Sequence, residues 1–170
     1  MPQLIRRATA PQVSIDASTV DLVDESLVAE FEPDWSHNGL LDVHPDGGAA
    51  KILCGQEVGC IAVTAELWDG APPLDPGPWQ DVAEMSVHWP SALLDFGTTT
   101  EGAEETGSTA LTLPGPGDYR VRVCGRNRDD GDPREDDAPV EEYLIQLWPA
   151  PTTGPEIHKA TSKYGTLWTQ

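Results

Sequence analysis

Apolar side chains return at every second position along several short runs of this chain, and glycine or proline closes most of the runs. A period of two is the spacing of a strand with one face on a core. Turn residues at this density suit an all-β chain. From Val58 to Trp68, Ile61, Val63, Ala65 and Leu67 alternate with Ala62, Thr64, Glu66 and Trp68. The first set is expected to face the core. Trp79 to Trp89 carries Ala83, Met85, Val87 and Trp89 on one face. Tyr119, Val121 and Val123 alternate with Arg120, Arg122 and Cys124, and Val140 to Trp148 places Tyr143, Ile145 and Leu147 together.

Shorter runs extend the pattern. Val13–Ile15 and Val20–Val23 read as strands split by a turn, and Leu40–His44 and Ala49–Cys54 flank Pro45-Asp46-Gly47-Gly48. Ser91–Phe96 and Ala110–Leu113 complete the series, while Ser26–Glu32 fits a helical turn or a strand equally. The expected fold class is all-β: a two-sheet antiparallel β-sandwich, jelly-roll or Greek-key-like in order. At 170 residues the chain fits one domain with a core that needs no disulfide staples. Residues 1–10 read as a flexible N-terminal arm, 11–150 as the sandwich, and 151–170 as a tail over the surface.

Charge narrows the partners. The chain has 29 acidic and 10 basic side chains, for a formal charge of −19. Such a surface repels nucleic acid and anionic membranes and suits a protein with a basic surface, although plain solubility explains it as well. No run reaches the length of a membrane span. Three cysteines, and an opening MPQLIRRATA without an apolar stretch, lead us to expect a reduced, cytoplasmic protein.

The densest acidic segment holds Asp129, Asp130, Asp132, Glu135, Asp136, Asp137, Glu141 and Glu142, interrupted by Arg134. It lies between two strands and reads as a long hairpin tip. Its like charges resist collapse. It fits a solvated loop, a phosphate-like row that enters a basic groove, or a calcium loop, although the EF-hand spacing is absent. Glu101, Glu104 and Glu105, and Asp21, Asp24 and Glu25, form smaller patches.

Enzyme signatures are missing. The histidines, His37, His44, His88 and His158, lack zinc spacing, and Cys54 and Cys60 do not form a CxxC pair. Neither a Gly-x-Ser-x-Gly elbow nor a phosphate loop occurs. No catalytic residue, metal or cofactor is expected. Of six tryptophans, most should be core, but Trp68 and Trp79 flank a proline-rich loop and are candidate interface anchors.

The order of features is familiar as a whole. Val13-Ser14-Ile15-Asp16 comes first, then Asp34-Trp35 leading to a glycine. Gly117-Asp118-Tyr119-Arg120-Val121 follows, and Glu142-Tyr143-Leu144-Ile145-Gln146-Leu147-Trp148-Pro149 closes the series. This layout resembles the competence protein J group of nuclease inhibitors and related immunity-like proteins of bacteria, over roughly residues 11–150. The resemblance implies an intracellular inhibitor of a secreted or uptake-associated nuclease. It transfers no inhibitory residue, and Asn127–Pro139 looks like an addition to the pattern.

The preferred expectation is therefore a non-catalytic protein that neutralises a basic nuclease or toxin by occlusion, through the acidic segment with Trp68 and Trp79. Two alternatives stand beside it. One is an adaptor or structural β-sandwich in a larger bacterial assembly. The other is a small-molecule or metal-binding jelly roll.

Overall fold

The alternating stripes become strands in a computed structural model, which describes residues 1–15, 17–24, 30–97, 109–130 and 140–170. The described strands are β1 (Leu4–Ile15), β2 (Thr19–Val23), β3 (Leu41–Val43), β4 (Ala49–Leu53), β5 (Gly59–Trp68) and β6 (Asp81–Trp89). They continue with β7 (Leu93–Asp95), β8 (Ala110–Thr112), β9 (Gly117–Arg126), β10 (Glu142–Pro149) and β11 (Glu156–Ala160), and a short helix, α1 (Lys163–Thr169), follows. Most of Ser26–Glu32, and the patch with Glu101, Glu104 and Glu105, lie outside the described residues.

Two sheets form. One has six strands in the order β1-β5-β10-β9-β6-β11, the other five in the order β3-β4-β2-β7-β8. The five-stranded sheet is antiparallel throughout. The six-stranded sheet is mixed, because β10 runs parallel to β5. The expectation of two antiparallel sheets is corrected here. Alternation reports which side of a strand faces the core and carries no information on the direction of its neighbour.

Residues 4–10, read as part of a loose arm, belong to β1 and pair with β5 from Leu4↔Trp68 onward. The register slips between Ala10 and Val13. Pro11 sits in that interval and has no N–H for the ladder, so a bulge accommodates it. Beyond residue 150 the chain adds β11 at the sheet edge and then α1.

Both sheets contribute to one core. Ile61, Val63, Ala65 and Leu67 of β5, Val121 and Val123 of β9, and Ile145 and Leu147 of β10 meet Val20, Leu22, Ile52, Leu94 and Leu111 of the other sheet. The alternating positions expected to face inward on β5, β9 and β10 are all buried.

The opposite face of the mixed sheet is buried too, by different means. Glu66, Glu84, Arg120, Arg122 and Gln146 project there and are all nearly inaccessible. Glu84 accepts from Arg120 Nε at 3.0 Å and Arg122 Nε at 2.8 Å. Arg122 also donates to Gln146 Oε1 and to the Pro72 carbonyl, both at 3.1 Å, and its guanidinium lies 5.0 Å from the Trp148 ring. Gln146 passes the chain to Glu66, which also accepts from Arg7 and Trp68. The proline-rich loop and the segment around Thr153 and Gly154 cap this strip through their carbonyls.

Candidate protein interface

The acidic segment leaves the sheet at the end of β9 and returns at β10. Its stem is held by a network of side-chain bonds. Asn127 takes a left-handed φ of 60° and its side-chain amide donates to Val140 O at 2.9 Å, which brings the two sides of the loop together. Arg128 points inward. It pairs with Asp81 and donates to Gly39 O at 2.8 Å, Leu53 O at 2.7 Å and Ser162 Oγ at 3.2 Å. Each of these acceptors belongs to a different segment of the chain.

Glu141 secures the returning side. Its carboxylate accepts from Gly55 N at 2.7 Å, Gln56 N at 2.8 Å and the Tyr143 hydroxyl at 2.7 Å. Burial nonetheless holds its carboxyl above the ordinary value, with those bonds offsetting part of the cost. Asp81 is held below its ordinary value. Burial alone would raise it, and the bonds from Ser162 and the Arg128 charge prevail. Gly55 has a steric reason to be glycine: an added Cβ would lie 2.0 Å from the Arg128 carbonyl oxygen.

The residues singled out from sequence thus separate. Asp129 accepts from Lys163 N at 2.9 Å and Tyr164 N at 3.0 Å, so it holds the start of α1, and Gln80 also donates to it. Asp130 is exposed. Glu141 is fully buried and serves the stem. Glu142 pairs with Arg126, whose guanidinium stands 4.9 Å from the Trp79 ring. Asp132, Glu135, Asp136 and Asp137 lie outside the described residues.

Trp68 and Trp79 are both half-buried and sit on the outer face of the mixed sheet. Trp79 and Glu142 line a shallow groove of about 360 Å³ with Arg7, Glu66 and Leu144. Trp68 joins it through Glu66, to which its indole N–H donates at 3.0 Å. The loop stem thus reaches Trp79 through Glu142 and Arg126, and Trp68 is bonded to Glu66 on the same groove.

Sequence reading missed a second concavity. Trp35, Leu53, Gly55, Glu57, Tyr164 and Trp168 line a groove of about 520 Å³. With Ala17 and Ser18, its walls come from four separate stretches of chain, so no local spacing signals it.

Several groups can be assigned by their surroundings. Cys124 is buried and its thiol is pushed up to about 12 by burial, so it is not a thiolate at neutral pH. Glu84, Glu156 and His158 bring three ligand atoms within 4.8 Å of one another. Glu84 already balances Arg120 and Arg122 there, and His158 Nε2 lies 2.7 Å from it, which makes the group an ion-pair cluster. Among the described residues no helix is long and apolar enough to cross a membrane.

Comparison with known proteins gives a fold and no sequence family. No family model matches the chain, and no characterised protein matches it in sequence. Two solved structures share the fold. The first is ComJ, the inhibitor of the DNA-degrading activity of NucA from Bacillus subtilis. The match has a TM-score of 0.58 at 11% identity and covers 88% of this chain and 99% of ComJ. The second is described as crocagin biosynthetic gene J. It matches with a TM-score of 0.50 at 18% identity, over 86% of this chain and all of its own. The likeness to the competence protein J group stated from the layout is thus present at the level of the fold.

Proposed function

We propose that this chain is a non-catalytic cytoplasmic binding protein that recognises a basic protein, such as a nuclease, and blocks it by occlusion. The observation that carries this reading is the shared fold with ComJ, a nuclease inhibitor. The formal charge of −19 selects the sign of the partner. A nuclease must present cations to hold phosphates, and an acidic surface on a rigid β scaffold competes for them. Both sheets share one core, which supports reading the scaffold as a β-sandwich. The acidic segment beyond Asp129, from Asp130 to Asp137, is the contact proposed first, and its bonded stem, Asp129 included, supports that choice.

The test is capture of partners from lysate of the source organism at low and high salt, followed by assay of the captured protein. A basic nuclease retained at low salt, released at high salt and inhibited by this chain is the expected result. A captured nuclease that keeps full activity overturns the inhibitor reading. A partner that stays bound at high salt favours the adaptor reading, since apolar contacts are little screened.

A further inference from the structure

The groove between Trp35 and α1 has the composition of a cation cradle. Tyr164 and Trp168 are one helical turn apart, with ring centroids 6.4 Å apart at 67° to one another. That is an edge-to-face pair, a favoured aromatic geometry. Trp168 is 44% exposed although it is one of the largest apolar side chains. Trp35, which is buried, Leu53 and Gly55 also line the groove. Glu57, exposed at the groove, supplies a carboxylate. A volume of about 520 Å³ falls in the range of ligand clefts, about 300–1,000 Å³.

The groove is fixed to the acidic segment through Asp129. Ala17 and Ser18 line one side with left-handed φ values of 54° and 63°, and Ser18 N donates to Glu57 O at 2.9 Å. The buried Arg128 guanidinium lies 5.7 Å from the Tyr164 ring, and Asp81 balances its charge. Asp129 holds the first turn of the same helix. The acidic segment therefore begins at the edge of the aromatic walls.

Aromatic faces carry negative potential, and a neighbouring carboxylate adds to it. An apolar occupant would leave Glu57 unmatched, and an anion would meet a chain of charge −19. We propose that this groove receives an arginine or lysine side chain from a basic protein segment, with Trp168 and Tyr164 against the cation and Glu57 as its counter-charge. The inference rests on the proposed function and adds where the partner's cation is seated.

The experiment is calorimetric titration of the full chain with an octa-arginine peptide at moderate salt. Four proteins are compared: wild type, Trp168→Ala, Glu57→Gln and Asp118→Asn. Asp118 is an exposed carboxylate at the start of β9, about 27 Å along the strand from the groove end. Its replacement removes the same charge as Glu57→Gln. The expected result is affinity reduced at least about fivefold by Trp168→Ala and by Glu57→Gln, and unchanged by Asp118→Asn. Trp168 is half-exposed, so unfolding does not confound its removal, and the thermal midpoint checks this. Equal small losses in Glu57→Gln and Asp118→Asn, with Trp168→Ala like wild type, would mean diffuse charge attraction and would overturn the groove. Absence of wild-type binding would overturn it too. Neither result touches the proposed function, which stands or falls on the captured folded partner.

Discussion

The two faces of β9 are equally hidden from water and are held by opposite kinds of physics. Inward, Tyr119, Val121 and Val123 join an apolar core. Outward, Arg120 and Arg122 are 4% and 5% exposed and depend on Glu84, Gln146 and carbonyls of two covering segments. Apolar burial is non-directional and survives small shifts. A buried ion pair holds only while every partner is in place, because an uncompensated charge in the interior is costly. The contrast teaches that the outer face depends on geometry and pH, and the inner face on volume.

The largest expected effect comes from Glu84→Ala. It strips Arg120 and Arg122 of their shared carboxylate and should cost about 3–5 kcal/mol at neutral pH, measured by chemical denaturation. Burial works to raise the Glu84 carboxyl, and the bonds from Arg122 and Arg120 hold it below the ordinary range. A depressed folded value means the group's stabilisation is complete above the ordinary carboxylate range and is lost as pH falls through the folded value. Wild type should therefore weaken more steeply in acid than the variant. A parallel pair of acid curves would refute this account of the outer face.

Ile145→Val probes the inner face. The lost methylene should cost about 0.5–1.5 kcal/mol, and the difference from wild type should not change with pH. An acid-dependent difference would mean the two faces are coupled.

Arg7→Gln tests the edge of the outer strip. Arg7 bonds Glu66 at 2.7 Å, but its side chain is 53% exposed. The change should cost about 0.2–1 kcal/mol, less at high salt. A loss as large as that of Glu84→Ala would show that exposure does not grade these pairs.

Alternation made the inner face legible, because Val121, Ile145 and Leu147 sit at period two in unbroken runs. The same rule is silent on the outer face, since nothing local reveals that the Pro72 carbonyl, fifty positions earlier, covers Arg122 or that those of Thr153 and Gly154 cover Arg120. Only the last three residues of β1, Val13–Ile15, read as a strand; the part before them was hidden by Arg6, Arg7 and Pro11, which are poor strand signals, and pairs with β5 all the same. The acidic segment was legible as charge but not as structure. Glu141 and Asp129 are spent on internal bonds, and that follows from Gly55 and Lys163, which no spacing rule connects to them. The groove of Trp35, Tyr164 and Trp168 draws on both ends of the chain and was invisible for the same reason.

Arg128 ties Gly39, Leu53, Asp81 and Ser162 to the base of the acidic segment. Those contacts reach both sheets and the helix, so the base has no private route of opening. Its amide protons should exchange with solvent as slowly as the strand centres do, through cooperative unfolding and not through fraying. The anchorage of the acidic segment then lasts as long as the folded state itself.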